Sequence, residues 1–257
     1  MQRAVRISVV IPVKDDEEQL DHCLRALGRQ TRAADEIIVV DNGSSDASAA
    51  VAATFGATVV ACGEPGIPAA SARGYDAATG DVILRLDADC VAPEGWIEGV
   101  VAAFGQHPDT DAFTGGARFI DGPMMLRLPL ATAYLLGYFI VMTPTLGHLP
   151  VFGSNFAMRA TAWRSVRDVV HRSDPELHDD LDISFHLGER GRIGYLRGAA
   201  VGISMRPFRS LSSFITRVFR GFRTVFRHWP RDFPPLRWCR VVWHRACARR
   251  AEVRAGE

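Results

Sequence analysis

Lysine is almost absent from this chain: of 30 basic residues, only Lys14 is a lysine. Cysteines are few and scattered, at Cys23, Cys62, Cys90, Cys239 and Cys247, and no CxxC pair occurs. That excludes the usual zinc-ribbon spacing and a disulfide framework, and reduced thiols in a cytosolic protein are expected. Glycine is missing after the first strand-like run, where Val13-Lys14-Asp15-Asp16 stands. A nucleotidyltransferase would place a Gly-rich, basic loop there, so that class is disfavoured. The opening residues are followed by a strand-like run with Pro12 and a charged cluster, which does not read as a signal peptide. No apolar run reaches the roughly 20 residues that cross a bilayer. The longest uncharged stretch, Leu128 to Met158, holds a helical part from Leu130 to Met142 that should stop at Pro144. It is expected to be a buried helix rather than an interfacial one.

What is present is an ordinary globular composition, 47% hydrophobic and 23% charged over 257 residues. This is enough for one large α/β domain or one domain with an appendage. The net charge of +1 hides an asymmetry. From Arg206 onward there are 13 Arg and three acidic residues, while the rest carries 17 basic against 26 acidic residues. An acidic body suits a metal site, and a basic tail suits an anionic surface. Because almost every basic residue in the chain is Arg, codon bias accounts for part of that Arg content.

Along the first half, strands and helices alternate. Ile7 to Val13, Ile37 to Val40, Thr58 to Ala61 and Val82 to Leu86 are short, apolar and rich in β-branched residues. Between them Leu20, Cys23, Leu24 and Leu27 recur at helical spacing, and helices are expected over 46–55, 68–79 and 93–104. This predicts an α/β fold with a mostly parallel sheet covered on both faces, and such sheets bind ligands at the carboxyl ends of their strands. Two strands end there in carboxylates, one at Asp41 and one at Asp87-Ala88-Asp89. Two carboxylates at i and i+2 can turn toward one Mg²⁺ or Mn²⁺, hard cations that favour oxygen donors and neutralise a leaving diphosphate. Alone, such a pair reads equally as a solvated turn or a helix N-cap.

Five blocks in order resemble family 2 glycosyltransferases of the GT-A fold: Ser8-Val-Val-Ile-Pro12; Asp35-Glu36-Ile-Ile-Val-Val-Asp41-Asn42-Gly43-Ser44-Ser45-Asp46; Gly74, Ala78 and Gly80-Asp81 leading to Asp87-Ala88-Asp89; Gly153-Ser154-Asn155-Phe156-Ala157-Met158-Arg159; and His178-Asp179-Asp180-Leu181-Asp182-Ile183. The similarity runs over about residues 7 to 200. It implies a Rossmann-like, mostly parallel sheet flanked by helices. Residues 1–205 would form the catalytic domain, with a nucleotide-sugar half at 1–110 and an acceptor half at 111–205. Residues 206–257 would be a basic amphipathic helical extension.

The resemblance also implies roles. Pro12, Val13, Asp15, Asp41, Arg73 and Asp87 would contact the nucleotide sugar. Asp87 and Asp89 would hold Mn²⁺ or Mg²⁺, with Asp89 as the main ligand. Gly153, Ser154, Asn155 and Asp179 would face the acceptor, and Asp180 would be the catalytic base. The implied reaction is transfer of one sugar, with inversion, from a nucleotide donor that in this family is most often a UDP-sugar to an acceptor hydroxyl. The Gln-x-x-Arg-Trp motif of processive synthases is absent. Departures fall on the donor side: Val13 stands for the usual aromatic, Lys14-Asp15 for Asn-Glu, and Ser71-Ala72 for Arg-Asn, with Arg73 shifted.

The acidic group Asp179, Asp180 and Asp182 is expected to crowd charge together, with Asp182 paired to an arginine and His178 a lesser base candidate. A helix is expected from Leu211 to Trp229. Its Phe-rich face opposes Arg217, Arg220, Arg223 and Arg227. Two placements fit: peripheral membrane contact through 209–229 on the inner face of the membrane, which suits a lipid-linked acceptor, or packing on the domain with arginines in solvent. A non-catalytic scaffold on the same fold and a nucleic-acid binder are the remaining alternatives. The second lacks any reader motif, so no nucleic-acid partner is expected.

Overall fold

The computed structural model describes residues 4–208 and 210–255. Position 209, part of the expected membrane-contact segment, and positions 256–257 of the basic tail lie outside the described residues. Strands β1 (Ile7–Val13), β2 (Glu36–Asp41), β3 (Thr58–Ala61) and β4 (Val82–Arg85) alternate with helices α1 (Glu17–Leu27), α2 (Ser48–Thr54) and α3 (Ile67–Ala77). Then follow α4 (Trp96–Gln106), β5 (Ala112–Phe119), α5 (Met124–Leu146), β6 (Phe156–Arg159), α6 (Ala160–Val166), α7 (Asp179–Arg190) and β7 (Ile193–Ile203). Two helices close the chain, α8 (Leu211–Arg227) and α9 (Pro234–Ala255). The seven strands form one sheet in the order β3-β2-β1-β4-β6-β5-β7. Within it β6 alone runs against its neighbours, and the other pairings are parallel. All seven residues of β1 are buried, as a strand covered on both faces requires. Helix α1 buries Leu20, Cys23, Leu24 and Leu27, the set expected from its spacing.

The conserved-looking blocks divide by position in the sheet. At its amino end, Glu36 accepts hydrogen bonds from the Ser8 hydroxyl and from the backbone N–H groups of Thr79 and Gly80. Asp35 accepts from Ile7 N–H at 2.8 Å and Asp81 from Arg6 N–H at 2.9 Å. These carboxylates satisfy strand ends that would otherwise be unpaired. Gly74 lets α3 lie on the sheet: a Cβ there would fall 2.3 Å from Val10 Cγ1 and 2.8 Å from Val40 Cγ2.

Helix α5 corrects two expectations. It runs 23 residues, through both Pro129 and Pro144, and most of it is exposed. Around Pro144, Thr145 Oγ1 donates to Val141 O at 2.8 Å and Trp238 Nε1 to Pro144 O at 2.6 Å. By length and mean hydropathy (1.6) it could cross a membrane. Ala131 and Leu135 bury one stripe, and the Tyr138 hydroxyl donates to Val151 O at 2.9 Å. Met124, Met125, Leu128 and Ile140 face outward.

Nor is the C-terminal segment uniformly displayed. Helix α8 packs through Gly221, Thr224, Val225 and His228, so small residues and a histidine meet the domain rather than the Phe face. Phe219, Phe222 and Phe226 stay exposed. The arginines are not left to solvent alone: Arg220 pairs with Glu176 at 3.1 Å and Arg223 with Asp174 at 3.4 Å. Leu211, expected on the apolar face, has no described side chain. Helix α9 is anchored by Arg237, whose guanidinium is fully buried. It donates to Leu146 O and Phe185 O, each at 2.8 Å, pairs with Asp232 at 2.8 Å, and meets His148 Nε2 at 3.0 Å.

His148 Nδ1–H donates to Leu149 O, so Nε2 is the acceptor for Arg237 and the ring is neutral. Burial, helped by the nearby Arg237 charge, lowers its pKa to about 4. An unfolded histidine titrates near 6.5, so between these values the unfolded chain binds the extra proton and stability falls as pH drops. We expect a loss of about 3 kcal/mol between pH 7 and pH 4 from this residue. Urea unfolding at both pH values should show it, and the pH slope should flatten in His148→Gln.

Candidate active site

At the carboxyl end of the sheet, β4 leaves its neighbours after Arg85. Leu86 is fully buried, and Cys90 N–H bonds back to Asp87 O at 3.1 Å. This tight turn keeps Asp87 and Asp89 beside one cleft of about 1100 Å³. Its floor includes Pro12, Val13, Asp16 and Asn42 from the ends of β1 and β2. Tyr134 and Tyr138 of α5 and Arg217, Val218 and Phe222 of α8 also line it. Gly153, Ser154, Asp179 and Asp180 line the cleft as well.

The two carboxylates of the turn are held differently. Asp87 Oδ1 pairs with Arg85 at 2.7 Å, and Asp87 Oδ2 accepts from the Ser154 hydroxyl at 2.5 Å. Asp89 meets Arg206 at 3.1 Å, and Arg206 also bridges to Asp16. Burial, and then the adjacent Asp87 charge, push the Asp89 carboxyl up to about 6 against the pull of Arg206. A buried carboxylate disfavoured in this way gains from a divalent cation. Donor atoms of Asp87, Asp89 and Cys90 lie within 4.8 Å of one another. Cys90 is fully buried and does not line the cleft, whereas Asp87 and Asp89 do. What remains are carboxylate oxygens, a donor set that fits Mg²⁺ or Mn²⁺.

On the other side, Gly153 to Asn155 form a single 3-10 turn before β6. Gly153 is obligatory here, since a Cβ would lie 2.1 Å from Arg85 Nη1. Its N–H donates to Asp180 Oδ2 at 3.1 Å. Asn155 is fully buried and spent on structure: it donates to Gly116 O and Ala199 O and accepts from Trp96 Nε1. It therefore does not reach the cleft. Asp179 pairs with Arg85 at 2.8 Å and accepts from the Ser71 hydroxyl at 2.9 Å. Burial raises its pKa, with Arg85 opposing. Asp180 has its second oxygen on Leu181 N–H at 2.8 Å and lies 3.9 Å from His178 Nδ1. His178 Nε2–H donates to Arg217 O at 2.8 Å, tying α7 to α8.

Three expected donor residues stand away from the cleft lining. Arg73 is exposed on α3. Asp15, at φ +49°, accepts from Ser45 N–H and Oγ and so links the loops after β1 and β2. Asp41 ends β2 and accepts from Ser44 N–H at 3.0 Å, while its neighbour Asn42 lines the floor. Asp182 points to the opposite side of α7. It pairs with histidines 171, 186 and 228 and, among the described residues, with no arginine, so only Asp179 and Asp180 crowd together.

The chain belongs to glycosyl transferase family 2. The family's sequence profile matches residues 8–164, more than half of the protein. Among curated relatives, the glycosyltransferase AglE of Haloferax volcanii is 32% identical over 100 residues, covering 36% of this chain and 33% of that protein. An undecaprenyl-phosphate 4-deoxy-4-formamido-L-arabinose transferase of Sodalis glossinidius is 38% identical over 114 residues, covering 40% of this chain and 35% of that protein. The chain thus spans about a third of the length of each of these two relatives. Mycobacterium tuberculosis glucosyl-3-phosphoglycerate synthase, solved with Mn²⁺, UDP-glucose and phosphoglyceric acid, superposes with a TM-score of 0.57 at 20% identity, covering 87% of this chain and 79% of that one. At that identity the likeness shows the fold, which is GT-A.

Two residues of this family 2 site escaped the sequence reading. Arg85 had a signal, an arginine inside the apolar run Val82 to Leu86. Arg206 had none, because it follows β7, far in sequence from Asp16 and Asp89.

Proposed function

We propose that this glycosyltransferase moves one sugar from a UDP-sugar to an oxygen of a lipid-linked acceptor, by a single displacement with inversion. The observation that carries the reading is that Asp89 and Asp180 face one cleft whose walls, α5 and α8, bear exposed apolar side chains. The nucleotide would lie over Pro12, Val13 and Asn42, with its diphosphate toward Asp89 and Arg206. Arg206 is the chain's own cation at that position and would stabilise charge on the departing diphosphate. Asp89, with Asp87 beside it, would hold a divalent ion, which would further neutralise that charge. Asp180 would take the acceptor proton as the acceptor oxygen bonds to the anomeric carbon and the bond to the diphosphate breaks.

The acceptor class follows from the walls. Val141, Val218 and Phe222 line the cleft, and Met124, Met125, Leu128 and Phe219 are exposed on the same two helices. Exposed apolar side chains with interleaved arginines suit a membrane interface, from which a polyprenyl chain would reach the site without leaving lipid. The Sodalis relative is named for an undecaprenyl-phosphate substrate.

The test is a panel of nucleotide sugars read by thermal unfolding, with and without Mn²⁺, followed by transfer to a glycolipid hydroxyl in anionic vesicles. A donor at about 100 times its Kd should stabilise the fold by about 2.7 kcal/mol. The shift should need the cation and vanish in Asp89→Asn. A chain that ignores every nucleotide sugar, or that glycosylates only water-soluble acceptors and does not float with vesicles, would contradict the proposal.

A further inference from the structure

We propose a second metal site, a four-coordinate Zn²⁺ site made by His171, Asp182, His186 and His228, separate from the carboxylates of the sugar-nucleotide cleft. One donor atom from each of these residues lies within 4.8 Å of the other three. His228 Nε2 stands 3.3 Å from Asp182 Oδ1 and 3.5 Å from His186 Nε2. His186 Nε2 is 3.8 Å from the same oxygen, and His171 Nδ1 is 2.7 Å from it. Bonds of about 2.0 Å to a tetrahedral ion put donor atoms about 3.3 Å apart. The cluster is already near that size, and only the His171 contact must lengthen.

Several bonds aim these atoms inward. His228 Nδ1–H donates to Thr224 O at 2.8 Å, so in the neutral ring Nε2 carries a lone pair. That lone pair faces a carboxylate oxygen at 3.3 Å and another imidazole nitrogen at 3.5 Å, which is repulsive unless a proton or a metal ion lies between them. Phe185 stacks on His228 at 4.0 Å and fixes the ring plane. Asp182 Oδ2 accepts from His171 N–H at 2.8 Å, which leaves Oδ1 toward the centre. Outer bonds of this kind orient ligands at metal sites. Asp182 and His228 are buried and His186 nearly so. Three imidazoles and one carboxylate favour a borderline-soft ion such as Zn²⁺ over the hard ions that suit Asp89.

The site would be structural. His171 lies on the segment after α6, Asp182 and His186 on α7, and His228 at the end of α8. Helix α7 carries Asp179 and Asp180, and α8 walls the cleft. A metal here pins α8 against α7 without using the Phe face.

The experiment uses the full chain with Asp89→Asn, which disables the cleft site, and with the exposed Cys239 and Cys247 alkylated. After chelator treatment and dialysis against buffered zinc, elemental analysis should find about one zinc per chain. Zinc should raise Tm, Co²⁺ should give the intense visible bands of a tetrahedral site, and exchange at α8 amides should slow. His171→Ala, the most exposed ligand, and His186→Ala should each weaken zinc binding by at least about 10–100-fold, the loss typical of outer-shell partners alone. If the histidine variants fail to fold, the cobalt spectrum of the Asp89→Asn chain decides. Substoichiometric zinc, an unmoved Tm, or weak octahedral cobalt bands in that chain would overturn the site.

Discussion

Asp180→Asn is expected to slow sugar transfer by about 10²–10⁴-fold, the usual contribution of a positioned base, while leaving donor binding intact. Asp180 is held by two backbone N–H groups, from Gly153 at 3.1 Å and Leu181 at 2.8 Å, which fix its rotamer at the cleft. Asparagine has the same shape but cannot accept the acceptor's proton. The donor contacts proposed here lie across the cleft, on β1, Asn42 and Arg206, so the Mn²⁺-dependent thermal shift with the donor should persist. Steady-state transfer should then fall through kcat rather than through the donor KM. Unchanged turnover would move the role elsewhere. His178, whose Nδ1 is 3.9 Å away, would be the next residue to substitute.

Arg85→Met should destabilise the fold by about 3–5 kcal/mol, the cost of leaving buried charges without their partner. The guanidinium is 3% exposed and sits between Asp87 at 2.7 Å and Asp179 at 2.8 Å. Both carboxylates raise its pKa despite burial, which alone would lower it. Methionine fills much of the same volume, so the loss is electrostatic more than a cavity. For a chain of this size it corresponds to a fall in Tm of roughly 6–20 °C. The sign with pH is a check. In the variant, Asp179 is left ionised and mostly buried without its partner, and protonating it removes that cost. The stability gap between variant and parent should therefore narrow as pH falls. A gap that stays constant with pH would point to packing instead.

Why some of this was readable before any coordinates is clear from individual elements. Strands β1, β2 and β4 are continuous apolar runs because both of their faces are covered, and α1 shows its buried stripe as a plain helical period. Asp87 and Asp89 were legible because the carboxyl end of a parallel strand is where the chain must turn. The expectation for α5 failed for a physical reason. An uncharged run suggests burial, but the helix keeps most of its length exposed and continues through both prolines. Asp182 was assigned an arginine because arginine is abundant. It meets three histidines instead: His186 lies one turn along the same helix, at a spacing that local pattern allows, while His171 and His228 come from segments eleven and forty-six residues away, which no local pattern announces.

Element type, sheet class and the acidic turn after β4 are properties of short stretches, set by periodicity and by the few residues that tolerate a turn. Which charges pair is different. Arg85 with Asp179, Arg206 with Asp16 and Asp89, and Arg237 with Asp232 and His148 are chosen by crossing geometry and by the cost of leaving a desolvated charge alone. That cost exists only once the helices are packed on the sheet, so the partners emerge with the fold and not before it.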